Sequence, residues 1–344
     1  MKKLNYLFGA VVMAFAMALT SCSSEDLPVS DIFDGDDLST AIANHTEVGS
    51  YLSLTLPAGV SLTMNEVIEL NAPMTIKGDA ANPAKIKVGE QGRFICNGSG
   101  ITLENVIIDA SDQTQPLVTL GVDEPEEWEF ASLFFINVDI TNMKKPLTAT
   151  GCKKYYFMLN IENCRMQLGA DTFMFDYSKG SVAVQFNIVN STIWSAEPTS
   201  KSLYHSQGGQ KGTEYTAETI QEFNLEKSTF YNLAKSKNFF THRQANQKFF
   251  AYTMKDCIFV NCGKSGQVVK GINQGQSGTN PIWDISGNVF NFDGADTSAD
   301  ESTGDEEEPV RNSKAVVVNF ADAANGDFTQ NDATAGDPIW FRKN

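Results

Sequence analysis

Apolar and polar positions recur along this chain with a period of about thirty residues. Seven nine-residue segments align without gaps: ITLENVIID (101–109), LFFINVDIT (133–141), LNIENCRMQ (159–167), FNIVNSTIW (186–194), FNLEKSTFY (223–231), YTMKDCIFV (252–260) and WDISGNVFN (283–291). Their fifth residues serve as anchors: Asn105, Asn137, Asn163, Asn190, Lys227, Asp256 and Gly287, spaced by 32, 26, 27, 37, 29 and 31 residues. The positions four before, two before and three after the anchor are apolar in every segment, in a chain that is only 42% hydrophobic. Two apolar positions spaced by two make a strand with one buried face. The third apolar column lies five residues beyond the second, and an odd step would point outward if the strand ran straight. The chain must therefore bend near the anchor. Asn, Asp and Gly tolerate positive φ, so the anchor column reads as a corner, with Lys227 the strained exception. An internal asparagine ladder is the rival reading, which Lys227 and Gly287 would interrupt.

A strand–bend–strand unit of this size cannot bury its face alone and must stack on its neighbours. The predicted fold class is all-β, a parallel β-helix. The uneven spacing places long inserts before Asn137 (Val122 to Trp128) and before Lys227 (Ala196 to Ile220). Weaker rungs precede the seven: 51–59, 67–78, 84–89 and 93–98. Asp36 to Asn44, with Leu38 and Ile42 at helical spacing, predicts a short capping helix over the open end. The β-helix domain is expected over 36–344, with an acidic loop at 293–309 and a closing segment at 315–344.

The first residues change the compartment. Lys2 and Lys3 precede an uncharged apolar run from Leu7 to Leu19, which is too short to span a bilayer comfortably. Residues 1–21 therefore read as a secretory signal. Leu19-Thr20-Ser21-Cys22 looks like a bacterial lipobox, which implies that Cys22 carries the lipid and that 22–35 is a tether. The acidic pair Glu25-Asp26 resembles the surface-export signal of Bacteroidota lipoproteins and implies an outer-membrane, cell-surface location.

Charge excludes one class of partner. With 42 Asp and Glu against 26 Lys and Arg, the formal net charge is −16. Nucleic acid needs a basic stripe and is not an expected partner. Five cysteines remain after Cys22, an odd number with no zinc-like spacing, and Cys164 and Cys257 share one repeat position where burial is expected.

The lipobox, the LPAG strand, the MTIKG turn, the asparagine-centred rungs and the terminal Gly336-Asp337-Pro338-Ile339-Trp340-Phe341 together resemble pectate-lyase-like β-helix lipoproteins of Bacteroidota. The resemblance implies a right-handed parallel β-helix. It also implies a place in a polysaccharide-utilisation system, beside an outer-membrane glycan importer. It supplies no mechanism. Neither the calcium-binding Asp set of pectate lyases nor the Asp/His set of polygalacturonases is found.

One strand column carries candidate chemistry. FMFDYS (173–178), LYHSQ (203–207), FFTHRQ (239–244) and VVKGIN (268–273) align to stack Asp176, His205, His242 and Lys270, with Arg243 adjacent. Both histidines lie 15 residues past their anchors, which predicts successive rungs about 4.8 Å apart. Among aromatics, Trp128, Trp194, Tyr204 and Tyr231 are candidate sugar platforms. Trp194 divides evenly between core and platform, and Trp128, flanked by Glu126, Glu127 and Glu129, is expected to be exposed. Trp283 and Trp340 are expected in the core. The expected function is non-catalytic binding of a polysaccharide or oligosaccharide, with pectin-like glycans among the candidates. No catalytic residue, metal site or cofactor is assigned, with calcium kept open as a bridging ion. A lyase or hydrolase acting on a uronic-acid glycan through the His205/His242 column is the alternative. A structural or adhesive surface protein is the third reading.

Overall fold

A computed structural model describes residues 32–45, 52–179, 181–207, 221–243, 250–264, 268, 282–292, 295–296, 318–330 and 335–340. Cys22, Lys270 and almost all of the acidic loop lie outside these residues, as do the side chains of His242, Arg243 and Trp283.

The described chain winds as a three-walled parallel β-helix. Wall 1 runs from Leu52–Thr55 and Met74–Lys77, through the first halves of Ile101–Asp109 and Glu129–Met143, to Tyr155–Glu162, Val182–Val189, Gln221–Glu226, Phe250–Lys255 and Ile282–Ser286. Wall 2 runs from Ser61–Met64 and Ala84–Val88, through the second halves of the same two long strands, to Arg165–Leu168, Thr192–Ser195, Thr229–Tyr231, Ile258–Val260 and Val289–Phe292. Wall 3 contains Val67–Leu70, Arg93–Cys96, Val118–Leu120, Thr148–Thr150, Phe175–Asp176, Tyr204–Gln207 and Phe240–Arg243.

The repeat columns are ladder columns. Ile101, Leu133, Leu159, Phe186, Phe223, Tyr252 and Trp283 pair in register along wall 1. Ile108, Ile140, Met166, Ile193, Phe230, Phe259 and Phe290 pair along wall 2. Their described side chains are buried. Aromatic stacks thread the core, with the rings of Phe230, Phe259 and Phe290 stacked nearly parallel, 7° apart, at centroid spacings of 5.0 and 5.2 Å. Those spacings match the distance between rungs and suit ring stacking.

All seven anchors have positive φ, from 45° at Lys227 to 70° at Gly287. The corner reading holds, and Lys227 bears the left-handed strain an L side chain incurs there. The asparagine ladder is local: the Asn137 amide donates to Asn105 Oδ1 at 2.7 Å, and the Asn105 amide to the Gly78 carbonyl at 3.3 Å. The next residue after the anchor turns inward; it is Val106 and Val138 in the first two rungs, and at Ser191, Ser228 and Asn288 its polar side chain serves the bent backbone. Ser191 Oγ accepts from Cys164 N, Ser228 Oγ from Ser191 N, and Asn288 Oδ1 from Cys257 N. These bonds satisfy amides that the bend removes from the ladder. A second corner, missed in the sequence reading, lies five residues past the anchor, where Asn142, Asn232 and Asn261 also have positive φ.

The helix Leu38–His45 closes the first rung. Asp37 caps it, its Oδ1 accepting from Ser39 N at 2.9 Å, and Leu38 and Ala41 are buried beneath it. At the other end the chain does something the sequence reading did not anticipate. Residues 318–330 and 335–340 lie across the outer flank of wall 2 as a strap. Phe328, Ala323 and Trp340 pack with Trp194 and Tyr231, while Ala335 and Val318 pack with Ile258, Val260 and Val289. Asp337 pins it: the Thr192 hydroxyl donates to Asp337 Oδ2 at 2.7 Å and the Trp340 indole donates to Thr192 Oγ1 at 2.7 Å.

The five cysteines after Cys22 are all buried and free. Burial pushes the thiols of Cys96, Cys164, Cys257 and Cys262 up to about 12, so they are inert packing residues. Among the described residues no helix is long and apolar enough to cross a membrane.

Candidate functional site

Wall 3 brings Asp176 and His205 together. They pair across adjacent strands, and His205 Nδ1 lies 3.1 Å from Asp176 Oδ1. Phe175 and Tyr177 point into the core, so period-two alternation turns Asp176 outward, leaving its side chain 27% exposed and that of His205 14%. Burial works to raise the Asp176 carboxyl. Hydrogen bonds from His205 and Ser178, with the charge of His205, outweigh it and hold Asp176 below its ordinary value. The His205 ring stacks on Phe173 at 4.3 Å and 11°, and Lys201 Nζ sits 5.6 Å from the Phe173 centroid on its face. The carboxylate orients the imidazole and the phenyl ring covers one of its faces, so the ring is held in place.

The rest of the expected column does not form. Tyr204 pairs with Phe240, which sets His205 against Thr241 and His242 against Ser206. The reason is a one-residue difference in the preceding turn. Wall 2 aligns Thr192 with Thr229, an offset of 37, whereas wall 3 aligns Tyr204 with Phe240, an offset of 36. Burying Phe240 beside Tyr204 demands this shift, and a slip of one residue moves every side chain to the other face. Counting from the anchor cannot detect it. Arg243 pairs with Gln207 by backbone, and Lys270 falls outside the described residues. No group of three His, Cys, Asp or Glu among the described residues is arranged to hold a metal ion.

Of the four candidate platforms, Tyr204 is corrected, Trp194 is settled as covered, and Tyr231 packs against Phe320 and Phe328 of the strap at 6.0 and 5.6 Å. Tyr204 is 1% exposed and packs edge-on against Phe186 and Phe223, so it is core. Trp194 is 7% exposed because the strap lies on it, with Phe328 at 5.6 Å. Trp340 is part of the same strap and only half-buried, so it flanks wall 2 and does not fill the core.

Trp128 is different. It stands at the end of the 122–128 insert, partly exposed, and stacks on Tyr156 at 4.3 Å and 25°. Phe130, 44% exposed, pairs with Tyr156 on the adjacent strand. Parity explains the placement. Leu133 and Leu159 face the core, so Phe134, Phe130 and Tyr156 face outward. Applying the same parity upstream of each anchor would have found Phe130 and Tyr156, which the sequence reading missed. The insert is held in place: Lys154 Nζ donates to the carbonyls of Pro125 at 3.1 Å and Glu126 at 2.6 Å. The Tyr155 hydroxyl donates to Glu129 at 2.6 Å, and Cys152 Sγ lies 3.0 Å from the Asp123 carbonyl. A stacked aromatic pair on a flat sheet, fixed before any ligand arrives, presents C–H-attracting π faces without an ordering cost.

No curated protein and no solved structure matches this chain. Residues 61–196, about two-fifths of the chain, match the family model of a domain of unknown function (DUF4957), a span that holds Trp128, Tyr156 and Asp176 but not His205.

Proposed function

We propose that this protein is a lipid-anchored, outer-membrane surface protein that captures a polysaccharide without cleaving it, within a glycan-utilisation system. The observation that carries the binding role is the Trp128–Tyr156 stack beside exposed Phe130. Sugar rings present a face of weakly positive C–H bonds, which an indole or phenol face attracts. A parallel sheet with regular rung spacing offers a long surface along which a polymer can lie.

Isothermal titration of the full chain against pectins, hemicelluloses and host glycans tests this reading. For the polysaccharide that binds, Trp128→Ala with Tyr156→Ala is expected to weaken affinity at least tenfold, about 1.4 kcal/mol, with the thermal transition unchanged. Binding that survives both substitutions would remove the aromatic surface from the reading. If no polysaccharide binds and outer-membrane proteins co-purify regardless of glycan, the adhesive alternative replaces it.

The anchor rests on the Leu19-Thr20-Ser21-Cys22 motif. Labelled palmitate is expected to enter the wild-type protein and to be absent from Cys22→Ser, which should leave the membrane fraction. Since each buried methylene adds roughly 0.8 kcal/mol, two or three acyl chains hold the protein stably. Equal membrane association of both proteins would refute lipidation at this cysteine.

A further inference from the structure

Wall 1 carries a polar column on its outer face. Phe134, Asn160, Asn187, Asn224 and Thr253 pair strand to strand in register, about 4.8 Å apart. Each stands between two buried core residues of its own strand, so period-two alternation turns all five outward. The side-chain amides of Asn160, Asn187 and Asn224 and the Thr253 hydroxyl have no hydrogen-bond partner among the described residues, and Asn224 Oδ1 is buried without one. The corner differs: there the Asn137 amide donates to Asn105 at 2.7 Å. An amide column that serves the fold closes on itself in this way, because a buried polar atom left unpaired is costly. The wall 1 column leaves its hydrogen-bonding capacity unused.

The charges bordering the column are mostly carboxylates. Glu162 and Glu226 stand two residues beyond Asn160 and Asn224, and Glu222 stands two before Asn224. Lys255, two beyond Thr253, is held by Asp284 at 2.6 Å, and Lys227 lies past Glu226 at the corner. Such a border repels uronate and sulfate groups. An asparagine side chain both donates and accepts, which matches a sugar hydroxyl. Its terminal torsion is broad, so the amide can turn to meet one.

We propose that this column binds an uncharged polysaccharide laid along the helix axis, whose hydroxyls pair with one side-chain amide per rung and whose C–H face meets Phe134. The proposal rests on the capture reading above and narrows its ligand to a neutral glycan. The column lies four residues along the strands from Phe130 and Tyr156, about 13 Å, and shares no residue with that surface, so either can fail alone.

The test is isothermal titration of the full chain with neutral hexasaccharides of the glucan, xylan and mannan types and with a uronate hexasaccharide. At least one neutral probe is expected to bind at least tenfold more tightly than the uronate, with little response to sodium chloride. Asn160→Ala with Asn187→Ala is expected to weaken that binding about tenfold, as for two lost hydrogen bonds. The thermal transition should stay unchanged, because neither amide bonds the fold. Asn82→Ala, in an exposed turn off wall 1, is expected to leave the affinity as it was. Neutral binding that Trp128→Ala with Tyr156→Ala weakens, but the asparagine pair does not, overturns the column alone. So does a uronate bound as tightly as the neutral probes, which leaves capture standing. Binding of no probe overturns both readings. A lowered thermal transition in the asparagine pair with unchanged affinity makes the column structural. A wild-type dimer in sedimentation that the asparagine pair disperses assigns the face to a second copy of the chain, against the proposal.

Discussion

Replacing Phe186 with alanine is expected to lower the unfolding free energy by about 3–5 kcal/mol, the range for deleting a fully buried phenyl ring. Phe186 is completely buried on wall 1, in register with Leu159 before it and Phe223 after it. Its ring meets Phe175 at 4.9 Å, and Tyr204 and Phe223 at 5.3 Å each. These neighbours come from walls 1 and 3, so the ring ties two walls together across the core. Parallel strands held by their ladder bonds cannot collapse into the space, and the cavity term adds to the lost transfer energy. A solenoid feels this beyond one rung, because each rung is stable only on its neighbours. Chemical denaturation followed by far-UV dichroism reads the loss. Phe130→Ala, on the 44% exposed ring, is the control and should change stability by less than about 0.5 kcal/mol. A Phe186→Ala loss below about 1 kcal/mol would show that the aromatic core is not the main support of these rungs.

Raising the pH through about 6 is expected to loosen the strap. Burial lifts the Asp337 carboxyl from 3.8 to about 6, against the Thr192 hydroxyl, the Ile339 N–H and the Arg165 charge, which pull it down. The folded chain therefore keeps a proton that the unfolded chain, or an undocked strap, releases near pH 4. Stability from this group is complete below about pH 4 and is lost as pH rises through about 6, at up to about 1.4 kcal/mol per pH unit and about 3 kcal/mol in total. Above that range a carboxylate sits buried beside Thr192 and Thr229, whose hydroxyls bond it and its backbone amide. Hydrogen exchange at the Gly336 and Asp337 amides, corrected for intrinsic rates, measures the docking. Protection should fall between about pH 4 and pH 6 in the wild type, level off above that, and stay level throughout in Asp337→Asn. An equal pH response in the variant would assign the effect elsewhere.

The strap also shows where sequence reading stops. Outward positions two and four past the anchor are polar in the rung of Asn137 (Asp139, Thr141) and of Asn163 (Arg165, Gln167). From Asn190 onward the fourth position turns aromatic or apolar at Trp194, Tyr231 and Val260, and the second, still polar at Thr192 and Thr229, turns apolar at Ile258 and Val289. That change signals a covering element, and it was legible. What covers it was not, because residues 318–330 and 335–340 meet wall 2 at separations that reach 148 residues, and periodicity describes only neighbours. Trp194 could thus be read evenly as core or platform until the strap settled it.

The same limit governs the site. Asp176 and His205 fall together because one rung follows the next by the repeat. His205 and His242 do not, because a turn one residue shorter moves His242 by one position in the strand register, and turn length within a rung is invisible to an alignment of anchors.

By itself the sequence determined the solenoid, the seven rungs, their register on two walls and the positive-φ corner at each anchor, since these follow from local periodicity and from which residues tolerate a left-handed bend. Only the tertiary structure decided which outward aromatics are covered and which strand-column residues meet, because each depends on the length of a turn or the path of a distant segment, and neither leaves a local pattern.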